Sequence, residues 1–264
     1  MDLAFDRRGT GEPLVLLHGL SHRRQGWDPV LDRLAAERDV IAVDLPGHGD
    51  SPPFPAGQPL VYADVVAELE KFLGHLGLDR PHVAGNSLGG LLSIELAARG
   101  RARTATALSP AGYWNKAERT WTAGVFQVAS SVGRRMPAGP AAALARHRVS
   151  RVSLFGLFFG RPGRHDPAVL TEELRRMGEL RPLIRTVLRR LDEFEAPPVP
   201  PPDVPVTIAW GRRDLILVPW QARRAKRAIP HARIVPLPGC GHVPMGDDPD
   251  RVAAVILDAT RPPV

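Results

Sequence analysis

The chain has 264 residues, 44% of them hydrophobic and 24% charged, with a formal net charge of +7. That length allows one domain with a full core and an inserted subdomain, while a single cysteine, Cys240, excludes an internal disulfide framework and fits a reducing compartment. No stretch approaches the roughly 18 apolar residues of a membrane span, and Met1 to Arg8 holds no apolar signal segment, so a cytoplasmic protein without a membrane partner is expected.

Leu3 to Arg8 alternates weakly and reads as a short first strand, followed by a Gly-Thr-Gly-Glu-Pro turn at 9–13. Leu14-Val15-Leu16-Leu17 is a continuous apolar run ending at His18-Gly19. Such runs suit strands covered on both faces, as in a parallel sheet. Trp27 to Leu34 has helical spacing, and Val40-Ile41-Ala42-Val43 is a second strand-like run closed by a Gly-rich loop at 44–51. Tyr62 to Leu76 is amphipathic, with Val65, Val66, Leu69, Phe72, Leu73 and Leu76 on one face.

The stretch from Pro81 to Gly90 reads as a strand, a sharp turn and a helix. Between His82-Val83-Ala84 and the helical spacing from Leu88 lies Gly85-Asn86-Ser87-Leu88-Gly89. A serine at such a turn is forced into a strained backbone, and the flanking glycines let neighbouring backbone pass. Taken alone, Gly-x-Ser-x-Gly also fits a serine cap between two turn glycines. Thr104 to Leu108 is a further strand. Strands alternating with helices predict a mostly parallel, doubly wound α/β sheet.

After Ser109-Pro110-Ala111-Gly112 the pattern changes. From Tyr113 to about Glu195 only helical periodicity is present, with Asp166-Pro167 as helix cap and first turn and Pro182 to Leu191 as another helix. From Trp121 to His165 there is no acidic residue, yet Arg134, Arg135, Arg146, Arg148, Arg151, Arg161 and Arg164 fall there. No zinc-ligand spacing, aromatic nucleic-acid motif or basic tail accompanies them, so no nucleic-acid partner is expected. A solvated helix face is expected, with attraction of an anionic substrate as the alternative. The proline run at 197–202 is a stiff connector. The sheet pattern resumes at Val206 to Trp210, followed by a helix at Gln221–Ala228, a strand at Arg233–Leu237 and a closing helix at Pro249–Ala259. The predicted division is an α/β core of residues 1–112 and 204–264 carrying a helical cap at 113–203.

A serine hydroxyl needs a base to take its proton, and the base needs an acid to hold its tautomer. Ser87 is the nucleophile candidate. His242, in Gly239-Cys240-Gly241-His242 after a strand, is the base candidate, because α/β sheets bind ligands beyond their strand C-termini. His18 and His48, wedged beside glycines, read as structural. His75, His147, His165 and His231 carry no partner signal. Asp214, just past the Val206–Trp210 strand, is the acid candidate. The order Ser, Asp, His is that of an α/β-hydrolase triad. Two backbone N–H groups are needed for the oxyanion: Leu88 at the helix start and Leu20 after His18-Gly19.

These motifs together resemble the α/β-hydrolase superfamily in its capped form. His18-Gly19-Leu20 is similar to the family's oxyanion loop, Asp44-Leu45-Pro46-Gly47-His48-Gly49-x-Ser51 to its second loop, and Gly85 to Gly90 to its nucleophile elbow. Gly211-x-x-Asp214 with Pro219, and Gly241-His242, resemble its acid and base loops. The likeness spans about residues 10–112 and 204–260 and implies fold and triad, not substrate. Serine at 87 disfavours the aspartate-nucleophile chemistry of related dehalogenases. Ser109 disfavours an acid after that strand. The Gly-Pro-Gly loop of many carbon–carbon bond hydrolases is missing. The expectation is a serine hydrolase cleaving an ester or thioester of a small to medium apolar acyl group, with no metal or organic cofactor and a small molecule as partner. Trp114, Trp121, Phe126, Phe155, Phe158 and Phe159 are candidates to line its pocket, about half of them serving the cap's own core. Carbon–carbon bond hydrolysis, lactone hydrolysis, cofactor-free perhydrolysis and non-catalytic ligand reception are the alternatives. Cys240 reads as a packing residue.

Overall fold

The apolar runs become adjacent strands of one sheet. The computed structural model describes residues 2–54 and 61–261; of the predicted core segments, residues 1, 55–60 and 262–264 lie outside the described residues. Among the described residues there are seven strands: β1 (Phe5–Arg8), β2 (Pro13–Leu17), β3 (Asp39–Val43), β4 (His82–Asn86), β5 (Thr104–Leu108), β6 (Val206–Gly211) and β7 (Arg233–Leu237). Their order is β1-β3-β2-β4-β5-β6-β7. β1 pairs antiparallel with β3, and the other pairs are parallel. β3, β4, β5 and β6 are buried throughout and β2 from Leu14 to Leu17, which is why 14–17 and 40–43 read as unbroken apolar runs. β1 is an edge strand and mostly exposed, so its pattern is weak.

α1 (Asp28–Ala35), α2 (Tyr62–His75) and α3 (Leu88–Ala98) connect the first strands. α1 and α2 bury one stripe each. α3 is buried from Leu88 to Ala97, so it lacks a polar face and its apolar spacing is nearly continuous.

Between β5 and β6 the chain forms α4 (Lys116–Arg135), α5 (Ala138–Arg146), α6 (Arg148–Phe155), α7 (Pro167–Glu179) and α8 (Arg181–Leu188). Asn115 and Glu118 close a reciprocal capping box on α4. Asp166 caps α7 through the Ala168 N–H at 2.8 Å, with Pro167 opening the helix as expected. α8 ends at Leu188 rather than Leu191; Leu191 is buried from the turn that follows. α4 and α7 cross at Gly133 and Gly178, where a Cβ on Gly133 would lie 2.1 Å from the Leu174 carbonyl oxygen. The insertion bonds to the core through Trp121 Nε1–H to Leu215 O (2.8 Å) and Val243 N–H to Phe158 O (3.0 Å).

α9 (Gln221–Ala228), α10 (Pro244–Asp247) and α11 (Pro249–Ala259) complete the chain. α10 is a single turn without a sequence signal of its own. Among the described residues no helix is long and apolar enough to cross a membrane.

Candidate active site

The turn from β4 into α3 holds Ser87 at φ 57° and ψ −113°, a strained conformation for a residue with a side chain. Two close approaches force it. A Cβ on Gly85 would lie 2.1 Å from Gly89 O, and one on Gly89 would lie 2.0 Å from Leu17 O. Strand and helix therefore touch through bare backbone. Ser87 N–H bonds Leu108 O at 3.0 Å, and Ser87 O accepts from Leu91 and Ala111 N–H at 3.0 and 3.1 Å. The backbone is pinned on both sides, leaving the hydroxyl free to project.

The loops after β6 and β7 bring the acid and base candidates to it. His242 Nε2 lies 2.9 Å from Ser87 Oγ, and His242 Nδ1 lies 2.9 Å from Asp214 Oδ2. The network assigns the Nδ1–H tautomer: the ring donates to Asp214 and accepts from the serine hydroxyl. Asp214 Oδ1 accepts the Ile216 and Leu217 N–H groups, each at 2.9 Å. The carboxylate is thus oriented by backbone and fully buried, while Ser87 keeps 7% of its surface open.

Residues without a sequence signal hold this arrangement. Asn86 Nδ2 donates to Leu108 O at 3.0 Å and to His242 O at 2.9 Å. Asp247, fully buried at its side chain, accepts three backbone N–H groups: Gly160 at 2.7 Å, Arg161 at 2.8 Å and Gly241 at 2.8 Å. His165 Nε2 lies 3.3 Å from the same carboxylate, so the histidine read as partnerless has a buried partner. Asp247 binds the loop before His242 to the 160–161 corner of the insertion.

His18 and His48 serve the loops, as expected. His18 Nδ1–H donates to Gly19 O at 2.8 Å, and its Nε2 accepts the Leu45 N–H at 2.9 Å. His48 Nε2–H donates to Leu20 O at 2.6 Å. Burial, foremost, holds the His18 imidazole well below the usual histidine range, and burial lowers His48 as well. Gly19 lies against the nucleophile candidate: a Cβ there would sit 3.3 Å from Ser87 Cβ. Cys240 is buried, and burial, reinforced by Asp247 and Asp248, pushes its thiol up to about 12, as suits a packing residue.

The aromatic candidates divide between two cavities. Trp114 and Phe126, with Leu20, Ser87, Leu88 and Phe194, line a cavity of about 30 Å³ at the serine. Trp121, Phe155, Phe158 and Phe159 line a larger apolar chamber of about 740 Å³, which also takes in Val243, His22 and Glu173. Phe126 and Phe158 meet edge to face, ring centroids 5.9 Å apart, where the two cavities adjoin. Trp121 is half exposed at the chamber's outer end, and His22 and Glu173 approach to 3.4 Å in its wall.

A sequence profile of the alpha/beta hydrolase family matches residues 14–255. An uncharacterised protein of Mycobacterium tuberculosis is 29% identical over 98% of this chain and 79% of its own length. A putative carbamate hydrolase, RutD, of Azorhizobium caulinodans is 27% identical over 97% of this chain and 94% of its own. Among solved structures, a thermophilic esterase from Thermogutta terrifontis superposes with a TM-score of 0.70 at 26% identity, covering 97% of this chain and 92% of that one. With the profile covering most of its length, the chain belongs to the alpha/beta hydrolase family.

Proposed function

We propose that the protein is a serine hydrolase that cleaves carboxylic esters or thioesters of small to medium apolar acyl groups. The observation that carries this reading is the hydrogen-bonded chain from Ser87 Oγ through His242 to Asp214, at 2.9 Å for each link. The likeness to the Thermogutta esterase agrees with it.

In this reading Ser87 Oγ attacks the carbonyl carbon while His242 Nε2 takes its proton. The charge that develops on the carbonyl oxygen is held by the Leu20 and Leu88 N–H groups, a donor of this kind being worth about 2.7–4 kcal/mol. Both residues line the cavity at Ser87. The imidazolium, stabilised by Asp214, then gives its proton to the departing alkoxide or thiolate. Water, deprotonated by His242, hydrolyses the acyl-serine, releases the acid and returns the proton to Ser87. Residues 113–203 act as a cap over the site, and the apolar chamber receives part of the substrate. The strained turn and the carboxylate clamped by backbone preorganise the groups, so little reorganisation accompanies reaction.

Hydrolysis of p-nitrophenyl butyrate tests the reading. Turnover by the wild type, reduced by about 10⁴-fold or more in Ser87→Ala, supports it. Equal rates in the two proteins, or none from a folded wild type across acyl esters and thioesters, overturn it.

A further inference from the structure

A groove of about 910 Å³ beside the chamber is lined by Arg148, Arg161, Arg164, Arg212 and Arg213 and by no carboxylate. α6 divides the two spaces. It presents Arg148 and Val152, with Gly156 just past its end, to the groove and Ser153, Leu154 and Phe155 to the chamber, and Phe159 lines both. They also meet at Leu215, a groove residue whose carbonyl takes the indole N–H of chamber-lining Trp121.

Two of the arginines are engaged. Arg161 bonds Asp247 O at 3.3 Å and faces Asp248 at 3.7 Å, and Arg213 donates to Gly160 O at 3.1 Å. Among the described residues the guanidinium groups of Arg148, Arg164 and Arg212 have no hydrogen-bonded or ion-paired partner. Three unneutralised cations converging on one concave surface repel each other unless an anion sits between them. Guanidinium forks match phosphate oxygens in pairs. The groove exceeds the volume of one phosphate and falls within the ~300–1,000 Å³ range of small-molecule sites.

Its position sets which end of the substrate it meets. Arg212 and Arg213 immediately precede Asp214, and the 158–160 corner packs on the His242 loop, where Val243 N–H bonds Phe158 O. The groove therefore borders the acid and base side of the site, whereas the cavity at Ser87 carries Leu20 and Leu88. The group that His242 protonates is the leaving group. We propose that the arginine-lined groove binds a phosphate or diphosphate on the leaving group, so that the substrate is an ester or thioester of a phosphate-bearing alcohol or thiol. This rests on the hydrolase reading above.

The test uses the full chain and the variant R148Q/R164Q/R212Q, which removes only the three unpartnered cations. Calorimetric titration with pyrophosphate reads the groove without any turnover. Binding by the wild type, weakened at least tenfold in the variant, is expected; equal binding or none overturns the proposal. Butyryl-coenzyme A, whose thiol carries a diphosphate, is then compared with S-butyryl-N-acetylcysteamine, which carries none. The wild type is expected to favour the former at least tenfold in kcat/KM, mainly through KM, and the variant to lose that preference while keeping its rate on the latter. No preference in the wild type overturns the proposal. So does a groove that serves a lipid surface, seen as variant-sensitive sedimentation with phosphatidylglycerol vesicles and no discrimination between the thioesters. Fluorophosphonate labelling of Ser87 separates the two failures: absent labelling defeats the hydrolase reading, whereas labelling with unchanged pyrophosphate binding in the variant defeats only the groove.

Discussion

Asn86 donates its side-chain amide to the backbone carbonyl of His242 at 2.9 Å. The residue before Ser87, the proposed nucleophile, thus fixes the backbone of His242, the proposed base, and a second bond to Leu108 O ties both to β5. Asn86→Ala leaves two buried carbonyl groups without that donor. The expected cost is about 1–3 kcal/mol of stability, with kcat falling more than KM rises because the imidazole is displaced rather than removed. Thermal unfolding and ester kinetics check this; an unchanged melting temperature with unchanged kcat contradicts it.

Asp247 holds the same loop from the other side. Its carboxylate accepts Gly160, Arg161 and Gly241 N–H groups at 2.7–2.8 Å. Asp247→Ala strands these donors in the interior, at an expected cost of about 3–5 kcal/mol. Asp247→Asn keeps one acceptor oxygen and falls between. Urea unfolding of the three proteins should rank them wild type, Asn, Ala; an alanine variant as stable as wild type defeats the assigned role.

These two residues mark where the sequence stops being legible. Ser87, Asp214 and His242 each lie just past a strand, in loops whose glycines and chain order mark them in the sequence. Asn86 sits in plain sight in the elbow, but its partners lie 22 and 156 residues away. Asp247 reaches back 86 and 87 residues, and His165 pairs with it across 82, separations that periodicity does not register. The insertion's helical character was readable from spacing, whereas the end of α8 was not, because Leu191 is buried without being helical. The excess of arginine was visible in composition. Its convergence was not, since Arg212 and Arg213, in the core loop after β6, join Arg148, Arg161 and Arg164 of the insertion.

The Phe126–Phe158 contact stands between the small cavity at Ser87 and the apolar chamber. Phe126→Ala should merge the two spaces and shift preference toward longer chains. We expect the ratio of kcat/KM for p-nitrophenyl decanoate over p-nitrophenyl acetate to rise about tenfold, at a stability cost of about 3–5 kcal/mol. The ratio is taken within one preparation, so the folded fraction cancels. A ratio that stays constant or falls contradicts the partition.

His18 and His48 make folding acid-sensitive. Burial lowers both, and His18 Nε2 must stay unprotonated to accept the Leu45 N–H. In the unfolded chain they take up protons near about pH 6.5. Their contribution is therefore complete above that value and is lost as pH falls below it toward the folded values. Each group that stays neutral in the fold costs about 1.4 kcal/mol per pH unit over that window. Urea unfolding between pH 7 and 5 should show falling stability in the wild type and a shallower fall in His48→Gln. Equal slopes contradict this assignment.

The most direct measurement is fluorophosphonate labelling read by intact mass and peptide mapping, on wild type, Ser87→Ala and His242→Ala. The account predicts one adduct on Ser87, absent in Ser87→Ala and slowed by orders of magnitude in His242→Ala, because the 2.9 Å contact to Nε2 is what activates the hydroxyl. A folded wild type that takes no label, or labelling of Ser87 at the same rate without His242, would contradict it.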